Sequence, residues 1–175
     1  MLLTSLAVGM HAAQPARLAP YAATPLDVVD RILEFAGVGP RDVVYDLGCG
    51  DGRIVIAAAQ KRGARGVGVD INPALIEQAH ENARRAGVEA KVTFLVEDAM
   101  KVDVSDATVV TLYLLSASNV KLRPLLTRRL RPGSRIVSHN FAMGDWEPDV
   151  VDNFVDAAGA KRTLYLWRAD GTVRP

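Results

Sequence analysis

Apolar positions along the chain keep two rhythms. Leu26, Val29, Ile32, Leu33 and Ala36 recur at helical spacing and predict a helix that Gly37 ends. Thr24 stands where an N-cap belongs, with Pro25 in the first turn and Asp27 at the third position. Residues 42–47 alternate little and are β-branched or aromatic, as in a strand covered on both faces. The apolar run Ile54-Val55-Ile56-Ala57-Ala58-Ala59 predicts a helix to about Arg62, with Gly63 as its stop. The exchange then repeats. A strand over 65–69 leads to a helix over Pro73–Ala86, and further strands follow over Val92–Val96 and Thr108–Tyr113. A loop from Leu114 to Asn119 precedes a helix over Val120–Leu130. The turn Arg131-Pro132-Gly133 opens a strand over Ser134–Ser138. Such alternation demands a parallel sheet with helices on both faces, an α/β fold. The end departs from it. Residues 141–149 read as a turn-rich loop, and strands over Val150–Phe154 and Thr163–Trp167 have no long helix between them, so the sheet closes antiparallel.

Composition narrows the class. The chain has 175 residues, the size of one domain with a real core, and a formal charge of +1. A balanced charge argues against a general electrostatic footprint for nucleic acid. No run is apolar for long enough to span a bilayer. Residues 1–20 read as a leader or irregular segment and 21–175 as the domain. Met1–Ala13 is a short apolar run ending in small residues, as in a secretory signal, but the first basic residue is Arg17. It is either an exported leader or a loosely packed one. The single cysteine, Cys49, excludes a disulfide framework. His80 has no second ligand at a fitting spacing, so no metal site is expected.

The densest chemistry lies in Asp46-Leu47-Gly48-Cys49-Gly50-Asp51-Gly52-Arg53. Gly48, Gly50 and Gly52 follow the first strand at every second position. Glycine tolerates positive φ and lets a ligand approach the backbone closely. The next helix presents its free N–H groups to the same turn. The pattern is not the dinucleotide fingerprint G-x-G-x-x-G. Asp46 would repel a pyrophosphate, but it suits a ligand carrying an ammonium or a sulfonium. Asp70 ends the second strand, 20 residues beyond Gly50. There a carboxylate can accept hydrogen bonds from two ribose hydroxyls. Asp98, a third acid at a strand end, either meets an adenine amino group or serves as a turn residue. Cys49 has no His partner nearby in sequence and reads as a small packing residue rather than a nucleophile.

The octet from Asp46 to Arg53 resembles the first motif of class I S-adenosylmethionine-dependent methyltransferases. Asp70, Asp98 and Leu130-Arg131-Pro132-Gly133 fall where that class has its later motifs. More narrowly, Tyr21-Ala22-Ala23-Thr24-Pro25, Val43-Val44-Tyr45-Asp46 and Gly50-Asp51-Gly52-Arg53-Ile54-Val55 resemble a small group within it. That group holds bacterial proteins of this size and the mitochondrial lysine methyltransferases that modify the ATP synthase c-subunit. Ser138-His139-Asn140-Phe141 and Gly144-Asp145-Trp146 are similar to the bacterial members. The resemblance implies a three-layer Rossmann-like methyltransferase fold, with a mostly parallel seven-stranded sheet and an antiparallel C-terminal strand. It implies S-adenosylmethionine as cofactor, with Tyr21, Thr24, Asp46, Gly48, Gly50, Asp70 and Asp98 around it. It also implies methyl transfer to an acceptor, either a protein lysine or a small molecule. A non-catalytic binding protein of the same fold is the remaining alternative.

Two positions depart from the group. Asp70 stands where mitochondrial members usually carry Glu, and Ser116 where bacterial members often have Pro. Both leave the substrate open. Tyr113, at the fourth strand tip, is the candidate catalytic residue, bringing a phenol or a ring face to the transferring methyl; the alternative is a core aromatic. His139, Asn140 and Trp146 are candidates for the acceptor side, with His139 either a general base or a structural residue. Tyr21 and Thr24 can fold over the cofactor, with plain helix capping the alternative for Thr24. Because S-adenosylmethionine is kept in the cytosol, the expected compartment is the cytoplasm.

Overall fold

The computed structural model describes residues 18–175. The Met1–Ala13 stretch read above as a leader lies outside the described residues. Helix α1 (Leu26–Phe35) buries Val28, Val29, Ile32 and Leu33, as its spacing requires. Thr24 does not cap it. Pro25 is the N-cap residue, extended at φ −56° and ψ 147°, with no side-chain cap bond. Its extended ψ keeps Pro25 out of the helix, which starts one residue later than expected and leaves Thr24 outside the cap, buried.

Seven strands follow: β1 (Val43–Leu47), β2 (Arg65–Asp70), β3 (Val92–Val96), β4 (Val109–Leu112), β5 (Arg135–His139), β6 (Val150–Val155) and β7 (Lys161–Arg168). They form one sheet in the order β3-β2-β1-β4-β5-β7-β6. Strands β1 to β5 pair in parallel, while β7 is antiparallel to both β5 and β6. Helices α2 (Arg53–Arg62), α3 (Pro73–Arg85) and α4 (Ser116–Arg129) supply the crossovers. Alternate strand residues divide two cores. Val109, Val137 and Leu166 join the core built with α1, α2 and α3. Val110, Ile136 and Trp167, one residue along or back, join the core built with α4. That division is the period-two rule of a strand buried on both faces. The result is the three-layer, mostly parallel sheet expected.

Two details of packing shape the site. Gly66 and Gly68 share one face of β2 beneath α2. A Cβ at Gly66 would lie 2.6 Å from Val55 Cβ, and one at Gly68 would lie 2.7 Å from Phe94 and 2.8 Å from Cys49 Sγ. Only bare backbone lets the helix come so near the strand. Helix α4 starts at Ser116, four residues earlier than a loop over 114–119 allows. The Leu115 carbonyl accepts the N–H groups of Ser118 and Asn119, at 2.8 and 3.0 Å, and opens the helix inside that stretch.

Candidate active site

The parallel strands end along one rim of the sheet. At that rim lies a cleft open to solvent. It sits where chain order reverses beside β1, with β2 and β3 on one side and β4 on the other. Open α/β sheets receive ligands at such a switch point. Tyr21, Thr24, Asp46, Gly48, Gly50, Asp70, Asp98 and Tyr113 all line this one cleft.

The turn after β1 is built on glycine. Gly48, Gly50 and Gly52 have φ of 85°, 54° and 79°, the left-handed region that side chains disfavour. The N–H groups of Gly48 and Cys49 both donate to the Val69 carbonyl, at 2.8 and 3.0 Å, tying the turn to β2. Gly50 donates to Asp70 Oδ2 at 3.0 Å, and Asn72 donates to Oδ1 at 2.9 Å. Each oxygen of Asp70 therefore has one lone pair occupied and a second for a ligand hydroxyl. Asp98 is held likewise, accepting Met100 N–H on Oδ1 at 2.9 Å.

Asp46 is buried and accepts one hydrogen bond from the Thr111 hydroxyl, at 2.7 Å. Burial pushes its carboxyl up to about 7; the Thr111 bond opposes the shift, and the charges of Asp70 and Asp51 add to it. Among the described residues, none of Asp46, Asp70 and Asp98 forms an ion pair. Three carboxyls thus meet one cleft without an ion-pair partner of their own. Burial also drives the Cys49 thiol far above its usual range, so it is no thiolate nucleophile.

A strap covers one side of the cleft. Tyr21 lies over Gly50, where an added Cβ would come within 2.5 Å of its ring. Arg53 fastens the strap: it donates to the Thr24 carbonyl at 2.7 Å and forms a bidentate pair with Asp51 at 2.6 and 2.9 Å. Asn82 in turn holds the Asp51 carbonyl at 2.9 Å. The Ser118 hydroxyl anchors the other end at the Leu18 carbonyl. In the sequence, Asp51 and Arg53 stand only as motif letters; their work as a fastener emerges with the fold. Thr111 is a further site residue that the sequence reading misses, and its only signal there is a lone hydroxyl in an apolar strand.

The acceptor-side candidates separate. Tyr113 is half-buried at the cleft wall and stacks on His139, with centroids 4.0 Å apart and planes 28° apart. His139 is fully buried behind it and does not line the cleft. Burial holds its imidazole down to about 4, with the Arg162 charge adding to the effect. Asn140 adopts φ 63° and joins β5 to β7 by exchanging bonds with Thr163, at 2.7 and 3.0 Å. Its visible role is a structural corner. Trp146 lies 5.9 Å from the Trp167 ring, with Arg174 4.5 Å above it. Neither Asn140 nor Trp146 lines the cleft.

Comparison with known proteins fits this geometry. Residues 46–150 match the family model described as the ANTKMT methyltransferase domain. The chain is 44% identical over 149 residues to a protein-lysine N-methyltransferase of Saccharolobus islandicus, spanning 85% of this chain and 92% of that one. It is 36% identical over 111 residues to the human ATP synthase c-subunit lysine N-methyltransferase; that match spans 63% of this chain and about half, 47%, of the human protein. Among solved structures, an RNA methyltransferase of Salinibacter ruber bound to S-adenosyl-L-homocysteine superposes with a TM-score of 0.81. It is 51% identical, and the match covers 87% of this chain and 97% of that one. The cleft suits such a ligand: a buried carboxyl without a counter-ion faces it, and the glycine turn leaves no Cβ in the way. The chain therefore belongs to the ANTKMT methyltransferase domain family, and it is an S-adenosylmethionine-dependent methyltransferase.

Proposed function

We propose that the protein methylates the side-chain amine of a lysine in a protein acceptor. The observation that carries methyl transfer is the group of acids without ion-pair partners, Asp46, Asp70 and Asp98, around one cleft that Tyr113 also walls; lysine as acceptor rests on the likeness to the Saccharolobus relative. Bound there, S-adenosylmethionine supplies an activated methyl group. Asp46 takes the ammonium of its amino-acid end. Asp70 holds the ribose hydroxyls on its remaining lone pairs, and Asp98 accepts from the adenine amino group. Tyr21 and Thr24, fastened by Arg53, exclude water from one side.

The acceptor nitrogen must arrive as a free amine. Its lone pair forms the new C–N bond as the C–S bond breaks, and the product ammonium returns a proton to solvent. Tyr113 offers a ring face and a phenol where that nitrogen enters. Desolvation of the entering side chain disfavours a lysine ammonium and so favours the reactive amine. The name of the Saccharolobus relative supports lysine as acceptor, and dependence on a cytosolic donor supports a cytoplasmic reaction.

The Salinibacter protein, described as an RNA methyltransferase, favours a second reading, an RNA acceptor. Incubation with methyl-labelled S-adenosylmethionine and cell lysate decides between them. Label on protein that resists ribonuclease and appears as methyl-lysine after hydrolysis supports the proposal. Label removed by ribonuclease supports the second reading. Label only in extractable metabolites overturns both.

A further inference from the structure

His139 is the unexplained group in this fold. It is fully buried, and among the described residues neither ring nitrogen has a hydrogen-bond partner. An imidazole left so in a core is rare, because desolvating its nitrogens is unfavourable. A leucine or phenylalanine would fill the space without that penalty. What His139 does touch is Tyr113, ring on ring at 4.0 Å. Its imidazole stays neutral at ordinary pH, so it is poorly suited to hold a proton taken from an acceptor.

A second group reaches Tyr113 from β7. Leu164 of β7 stands opposite His139, and Arg162, two residues away on the same face of that strand, bears its charge toward the Tyr113 phenol. It is aimed by Asp156, whose side chain is fully buried and accepts Arg162 Nε at 2.8 Å and Nη2 at 2.7 Å. Asp156 is itself fixed by the N–H groups of Ala158 and Ala160, at 3.0 and 2.8 Å, in the turn between β6 and β7. Both nitrogens meet the one oxygen Asp156 Oδ2, which anchors that edge of the guanidinium.

Resting on the reading above, we propose that His139 and Arg162 are positioning residues for Tyr113. His139 fixes its ring and Arg162, oriented by Asp156, fixes its phenol oxygen at the acceptor mouth. The antiparallel β6–β7 hairpin thereby serves the site, since it delivers a rigid cation to the back of the one aromatic side chain that walls both donor cleft and acceptor mouth. Neither residue touches the acceptor, and neither binds the donor.

The test uses the full chain with isotope-labelled tyrosine. His139→Ala and Arg162→Met are each expected to speed the ring flips of Tyr113 in the NMR spectrum. Each is expected to lower kcat about tenfold at saturating substrates while leaving donor affinity within about twofold. His139→Phe keeps a stacking ring and should restore slow flips. In a Tyr113→Phe background, which lacks the phenol, Arg162→Met should cost nothing further. Unchanged ring flips in both His139→Ala and Arg162→Met overturn the proposal, as does an equal kcat loss from Arg162→Met with and without the phenol. Should His139→Ala fail to fold, the Arg162→Met and His139→Phe spectra still decide. The flips need no acceptor, so they judge this proposal even where the lysine assignment fails for want of labelled lysine.

Discussion

Asp46 is the residue at which burial and charge oppose each other most. Its folded carboxyl sits at about 7 rather than the ordinary 3.8, chiefly through burial. A raised folded value means that the protein without ligand holds a proton that the unfolded chain has lost. This contribution to stability is therefore present at low pH and is lost as pH rises from about 4 through about 7. A bound cation reverses the preference, since it stabilises the carboxylate and releases the proton. Donor affinity should accordingly rise about tenfold per pH unit below about 7 and level off above it. Calorimetry across that range checks the slope, and Asp46→Asn should flatten it. A flat wild-type profile would show that no cationic group docks beside Asp46.

Elements carry the next level of explanation. Gly66 lets α2 come close to β2, while Gly68 leaves room for Phe94 of β3 and for Cys49, and so sets the height of the glycine turn above the sheet. Gly68→Ala must move Phe94 or Cys49 and should destabilise the fold by about 1–3 kcal/mol, read as a lower melting temperature. The strap is held differently, by polar contacts at the edge of the cleft. Arg53→Ala leaves the buried Asp51 carboxylate without its cation and should lower the melting temperature; it should also speed donor release, because Thr24 and Tyr21 lose their fastener, and stopped-flow displacement of bound donor measures that release.

The elements also differ in how far the sequence reveals them. β1, α2 and β2 are legible because their apolar runs and glycine stops are local signals. The start of α4 is not. Its first turn buries Ser118 and Asn119, so the apolar spacing carried by Leu122 and Leu126 does not reach back to Ser116. Polar groups there meet distant partners, such as Ser138 and Phe141 for the Asn119 amide nitrogen, or Asp145 and Pro175 for Arg123. Such pairings cannot be read before the chain is folded. The three acids are legible as strand-end residues. The behaviour of Tyr113, His139 and Arg162 as a set is not, because β4, β5 and β7 meet only in the sheet.

At the scale of the whole molecule, topology explains why one cleft collects so much. Parallel strands send their C-terminal ends to one rim, and the reversal beside β1 opens a gap between neighbouring crossovers. Asp46, Asp70 and Asp98 leave three different strands, yet reach the same gap. Helices cover both faces of the sheet, and no described helix is long and apolar enough to cross a membrane. The late antiparallel hairpin closes the sheet beyond β5. The acids, the glycine turn and the strap all converge on donor binding at that rim. Calorimetric titration of S-adenosylmethionine into the wild-type chain and into Asp70→Ala tests it most directly. One site per chain, with affinity lost by about a hundredfold or more in the variant, is the result expected from removing both ribose contacts. Equal affinity in the two proteins would contradict the placement of the donor and, with it, the reading of the cleft.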